Sequence, residues 1–197
     1  MDQDNVLNSL FLALENHDIE ATKEILTSSD WIDENTVFDS IPPNYKMFGK
    51  APFPLLNVSS SFNFLEGTQF LLENDLYADC TDENNNSPLH CAASCGSVEI
   101  MDLLLSEYSC DPTPRNKNKD LPIHIAATYN QNDAVSFLVE KKINSVEAKN
   151  NLGKTVLAIA VENDNVNLAE YLINDCNSDV KTVDNEKNTL LHIALEN

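Results

Sequence analysis

"DENNNSPLHCAASCGSVEIMDLLL" (residues 82–105) holds a polar bend, a Ser-Pro pair suited to open a helix, a pair of alanines, a glycine stop and a second apolar run. Its centre, "SPLHCAAS" (87–94), returns in altered form as "LPIHIAAT" (121–128). His90 and His124 lie 34 residues apart; the next 34 reach Ala158 in "TVLAIAVEND", and 34 more reach His192 in "TLLHIALEN". Stepping back from His90 by the same interval lands on Leu56 in "PLLNVSS", with Pro54 and Leu55 in phase with Pro88 and Leu89. "LFLALENHDIEATKEIL" (10–26) lies without a gap against "LAIAVENDNVNLAEYLI" (157–173), which puts Phe11 at the histidine position. Phe11 to Leu56 is 45 residues, one period with an 11-residue excess, so six units are anchored at 11, 56, 90, 124, 158 and 192, the last incomplete.

Self-similarity at such a period marks a solenoid, in which each unit buries its apolar face only by stacking on its neighbours. Ser87, Thr155 and Thr189 are placed to cap the following helix by accepting first-turn N–H groups, and Pro88 and Pro122 suit a first turn because they lack an N–H. Leu89, Ile123, Leu157 and Leu191 are expected to begin the apolar stripe. Ala92 and Ala93, Ala126 and Ala127, and Ala160 permit close packing of adjoining units. Gly96 and Asn130 can take the left-handed conformation that ends a helix. A second apolar helix follows in "VEIMDLLLSEY", "DAVSFLVEK" and "VNLAEYLIN".

Two antiparallel helices per period, with an Asp/Asn/Gly/Lys-rich bend such as "DENNN" or "NNLGK" between periods, resemble the ankyrin repeat, whose signature is Thr-Pro-Leu-His-x-Ala after a β-turn. The resemblance covers almost all of the chain; it is strongest over 80–197, weaker over 5–27 and weakest over 51–75, where "NVSSSFNFLEG" replaces the alanine pair. Tetratricopeptide repeats share the spacing, but their Trp, Gly and Tyr markers are absent. The expected fold is an all-α ankyrin-repeat solenoid of about six stacked helix-turn-helix units with short β-turn or hairpin bends. The expected units are approximately 5–27, 51–75, 82–110, 116–143, 150–175 and an incomplete 184–197, with 28–50 as an irregular insertion in a single array. That insertion carries Trp31, Phe38, Tyr45 and Phe48, with Phe53 just beyond, and its Pro42–Pro43 pair forbids a regular helix. Its aromatics are expected to fold back over the weak second unit and close the end of the stack; the alternative is that the insertion is a second partner-binding segment. The chain stops inside the first helix of the sixth unit, which leads to the expectation of a longer protein whose repeats continue.

Composition narrows the function classes. With 32 acidic and 12 basic side chains the net charge is −20, so nucleic acid and anionic membrane surfaces are repelled. Residues 1–80 carry 14 acids and 3 bases and residues 81–197 carry 18 and 9, so the acidity is spread along the chain. Such a surface serves solubility and is compatible with a basic partner. The apolar run Leu10–Leu14 follows acidic residues and lacks a basic flank, which makes it a poor signal peptide, and no stretch approaches the ~20 apolar residues of a membrane span. Five cysteines without paired spacing fit a reducing, cytoplasmic setting.

His90, His124 and His192 recur one period apart, so stacking separates their rings by about the ~10 Å spacing of packed helices, too far to share one metal ion. The resemblance implies a structural histidine bonded to the backbone of the neighbouring turn. His17 falls at a helix–helix turn, facing solvent. Cys80, Cys91, Cys95 and Cys110 lack zinc-site spacing. Cys91 shares an apolar slot with Ile125, Ile159 and Ile193, and Cys110 a small-residue slot with Ser178. Cys95 is expected on the open side as the most reactive thiol. The "NLGK" bend lacks the glycine and strand of a phosphate loop, no catalytic motif is present, and Asp82 with Glu83 reads as solvated bend charge. No cofactor or metal and no enzymatic activity are expected.

What remains is surface. The resemblance implies a partner-binding concave face built from bend tips and the exposed side of the first helices: Glu83, Asn84, Asn86, Ser94 and Cys95 from one unit, then Lys117, Asn118, Asp120, Thr128 and Tyr129. Asn151, Leu152, Lys154, Glu162 and Asn163 follow, then Asn185, Glu186 and Asn188. Tyr129 and Leu152 stand out as anchors. The expected function is a non-catalytic, monomeric protein–protein interaction module, a scaffold or adaptor. The alternatives are a targeting segment for a catalytic domain beyond Asn197 and a structural spacer.

Overall fold

The computed structural model describes residues 3–29, 32, 36–38, 53–142 and 146–196. Eleven helices occur among them: α1 (Gln3–Glu15), α2 (Ile19–Thr27), α3 (Leu55–Ser61), α4 (Leu65–Glu73), α5 (Pro88–Cys95), α6 (Val98–Ser106), α7 (Pro122–Thr128), α8 (Asn132–Glu140), α9 (Val156–Glu162), α10 (Val166–Asn174) and α11 (Leu190–Glu196). Each odd-numbered helix up to α9 pairs with the even-numbered helix that follows it, so the protein is a helical repeat stack. The first helices pack side by side in the order α1, α3, α5, α7, α9, α11, and α2, α4, α6 and α8 form a second row behind them.

The turn inside each pair is closed by a left-handed residue: His17 (φ 55°), Asn63 (55°), Asn130 (59°) and Asp164 (52°). Gly96 does this in the third pair, at φ 76°, and a Cβ there would also meet the Gln131 side chain. Asparagine, aspartate and glycine tolerate this region best, which is why Gly96 and Asn130 mark these turns in the sequence.

The apolar stripe is continuous through the stack. Leu10, Leu14, Leu56, Leu89, Ile100, Leu104, Ile123, Leu138, Leu157 and Leu172 are buried. Ala92, Ala93, Ala126, Ala127 and Ala160 are fully buried between adjoining first helices, where a small side chain lets the backbones approach. In α3 the corresponding places are held by Val58 and Ser59, both buried, with Ser59 Oγ 3.0 Å from Thr68 Oγ1 of α4. Cys110 is buried in the apolar core, whereas Cys91, though buried, borders a polar cell beside Ser61 and Asp82; burial raises both thiol pKa values, that of Cys110 to about 12.

Leu191 departs from expectation. It is 69% exposed, and Ile193 is the buried residue of α11. Helix α11 packs chiefly on α9, and its Leu191 and Leu195 are left exposed.

Of the aromatics around the insertion, Phe38 and Phe53 are buried. Strands β1 (Val37–Phe38) and β2 (Phe53–Pro54) pair antiparallel, a short ladder the helical periodicity gave no sign of. The Phe38 ring meets Phe11 edge-on at 5.6 Å, and Phe11 meets Phe62 edge-on at 5.3 Å. These rings join the first helix pair to the second. Trp31, Pro42, Pro43, Tyr45 and Phe48 lie outside the described residues.

Candidate functional site

The bends between helix pairs are built by one repeated device. At 34-residue intervals stand Asp82, Asn116, Asn150 and Asp184, and each turns its side-chain oxygen back on its own bend. Asp82 Oδ1 accepts from the N–H groups of Asn84 and Asn86 at 2.8 and 2.7 Å. Asn116 Oδ1 accepts from Asn118 and Asp120, both at 2.9 Å, and Asn150 Oδ1 from Leu152 and Lys154, both at 3.0 Å. Asp184 does the same for Glu186 and Asn188. The left-handed residue of each bend is Asn85, Lys119, Gly153 or Lys187.

Successive bends are then joined. The N–H of Lys117 donates to Asn84 O at 2.8 Å, Asn151 to Asn118 O at 2.8 Å, and Asn185 to Leu152 O at 2.9 Å. Asn116 Nδ2 donates to Asn86 Oδ1 and Asn150 Nδ2 to Asp120 Oδ1, at 3.0 and 2.9 Å. The result is a polar ladder along the tips, whose bonds satisfy backbone donors that would otherwise be lost to burial. Asp82 is therefore buried and fully bonded rather than solvated, which corrects the reading from charge alone. The signal was in the sequence, since the four residues share the 34-residue step of the histidines.

The histidines hold the ladder to the helices. His90 Nδ1 accepts the Ser87 N–H at 3.1 Å, so its proton sits on Nε2, which donates to Asp120 O at 3.1 Å. His124 repeats this with the Leu121 N–H at 3.1 Å and Ala148 O at 2.9 Å. Burial lowers the pKa of both imidazoles, so they are neutral fasteners. In α3 the register histidine is Leu56, and the adjacent Asn57 takes over by donating to Asn86 O at 2.8 Å. Asn86 is the counterpart of Asp120 one period earlier. His17 is exposed, yet its Nε2 lies 2.7 Å from Phe62 O and its ring stacks on Phe64 at 5.0 Å, so it too joins two helix pairs.

Between the bend tips and the first helices runs a groove. Its largest cell, about 330 Å³, is lined by residues that include Asn84, Asn86, Asn118, Asp120, Thr128 and Tyr129. A second cell of about 210 Å³ lies against Leu152, Lys154, Glu162, Asn185, Glu186 and Asn188. Most residues expected at the binding face thus border these two cells, and Tyr129 (44%) and Leu152 (56%) are exposed there.

Not all the expected residues are free to meet a partner. Ser94 is buried and donates to Cys91 O at 2.6 Å. Cys95 is half-buried; its Sγ donates to Ser60 O of the preceding pair at 3.3 Å and lies 3.0 Å from Ser97 Oγ. Burial raises its pKa, so the expectation of an open, reactive thiol is corrected. Asn163, at the equivalent position, likewise spends its amide on Ala127 O and Thr128 O. Asn185 donates to Asn151 O and Asn188 to Asp184 Oδ2. Lys154 forms an ion pair with Glu162 at 2.5 Å. Glu83, Asn84, Lys117, Asn118, Tyr129, Asn151, Leu152 and Glu186 remain as exposed side chains turned to solvent from the tips and the helix end.

A family model described as ankyrin repeats, in three copies, matches residues 55–149 and again 123–197. The chain belongs to the ankyrin-repeat family. No curated protein matches it. Ankyrin repeats are in general protein–protein interaction modules and typically carry no catalysis. Among the described residues no three metal-ligating side chains converge, and no helix is long and apolar enough to cross a membrane.

Proposed function

We propose that this ankyrin array is a scaffold or adaptor that holds a protein partner in the groove beneath its bends. The observation that carries the reading is the contrast within the groove wall. Its backbone is held by the polar ladder and the buried histidines, while Tyr129 and Leu152 stand exposed amid polar groups. A preorganised wall with a few large exposed anchors is the arrangement that gives affinity at low ordering cost. A loosely held wall would lose that advantage.

The test is affinity capture by the wild-type chain beside Tyr129→Ala and Leu152→Ala, with the thermal midpoint of each variant as the folding control. The reading expects partners retained by the wild type and lost from both variants at unchanged folding. Partners retained equally by all three would place binding elsewhere, and saturable binding to none would favour a spacer.

A further inference from the structure

Tyr129 and Asp120 line the same groove cell, and the hydrogen-bond bookkeeping of that cell is lopsided. The bend N–H groups of Asn84, Asn86, Asn118 and Asp120 are turned inward onto Asp82 and Asn116. The side-chain amides of Asn86, Asn116 and Asn150 donate within the ladder, and both imidazole N–H groups are spent on carbonyls. Apart from the tip amides, the second N–H of each ladder amide and the Tyr129 hydroxyl, the wall's polar hydrogens are spent within the fold. Acceptors are left over. Asp120 receives one bond, from Asn150 on Oδ1, and its Oδ2 is without a protein partner.

The charges in the cell have one sign. Its lining contains the carboxylates of Asp82 and Asp120 and no Lys or Arg. Lys154, which aligns with Asp120 one period later, is tied to Glu162, and Lys117 stands exposed at the tip of Asp120's own bend, outside the lining. Asp82 has both oxygens occupied, which leaves Asp120 as the carboxylate able to take a new donor.

We infer that the cell lined by Asp120 and Tyr129 receives an arginine side chain from an extended segment of a protein partner. The inference rests on the groove reading above and adds the chemistry of the occupant. Arginine fits better than lysine because its planar guanidinium can donate to a carboxylate while its face lies on an aromatic ring. The net charge of −20 draws a basic segment toward the groove before contact.

The test is selection of random linear peptides displayed on phage against the 197-residue chain. Selected peptides are then titrated into isotope-labelled protein and into the variants Asp120→Asn and Tyr129→Ala. Asp120→Asn keeps an Oδ1 acceptor for Asn150, so it removes the charge without cutting the ladder, and thermal midpoints confirm folding. The inference expects arginine-enriched peptides that shift the amides of the 116–129 segment. It also expects affinity to fall about tenfold to a hundredfold with Asp120→Asn or when the peptide arginine becomes glutamine, and less with lysine. Groove-bound peptides lacking arginine enrichment and indifferent to Asp120→Asn overturn the inference and leave the groove reading intact. Peptides that shift only amides outside the groove, or no selectable peptide at all, overturn both.

Discussion

Helices α7 and α11 carry nearly the same motif, "LPIHIAAT" and "TLLHIALE", and live in opposite environments. Ile123 of α7 is fully buried and His124 spans two bends, whereas Leu191 and Leu195 of α11 are 69% and 77% exposed and His192 faces solvent. The difference is flanking. Helix α7 is held between α5 and α9; among the described helices α11 packs chiefly on α9. A repeat motif thus specifies a helix and a docking face, while the neighbour on each side supplies the energy, as expected of a quasi-one-dimensional stack.

The strongest way to break this comparison is to truncate matched positions. Ile123→Ala is expected to cost about 2–5 kcal/mol from lost burial and the cavity left behind, while Leu191→Ala should stay within about 0.5 kcal/mol. Urea unfolding followed by circular dichroism measures both. Equal costs would mean that the motif itself, not its flanking, sets stability.

A smaller difference is expected between the histidines. His124→Ala leaves the Leu121 N–H and Ala148 O short of their partners in a buried setting, at about 1–3 kcal/mol. His192→Ala touches only the exposed Thr189 cap and should cost clearly less in the same assay.

The ladder offers a third probe. Asn150→Ala removes the acceptor for two bend N–H groups and the donor to Asp120, for about 1–2 kcal/mol. Amide hydrogen exchange should quicken at Leu152 and Lys154 before it does in α7. Unchanged exchange would show that the ladder bonds are replaced by water at no cost.

The mildest perturbation is pH. His90 and His124 have folded pKa values below the ordinary 6.5, chiefly through burial. Their neutral forms therefore favour the native state above about pH 6.5, and that contribution is lost as pH falls through the lower folded values. The thermal midpoint should drop between pH 7 and 5, and the drop should shrink in His124→Ala.

The 34-residue step made the helix pairs, the structural histidines, the burial of Cys91 and the Gly96 and Asn130 turns readable, because each depends on local residue type at a repeated position. The burial of Asp82 cannot be inferred from charge at a bend; its carboxylate is turned inward onto the N–H groups and amide of its own bend. Ser94, Cys95 and Asn163 were placed on the binding face by register, yet their side chains turn to neighbouring backbone, and register fixes a position without fixing a rotamer. Asn57 escaped notice because its substitution for the histidine is shifted by one residue, which a strict alignment cannot see.

By itself the sequence determined a solenoid of paired helices, since period, caps, small residues and turn formers all agree on it. Only the tertiary structure decided which polar groups are spent on holding the stack and which still face solvent. That choice depends on distances between units a full period apart in the chain, where hydrogen bonds near 3 Å are made or missed by packing that no single unit encodes.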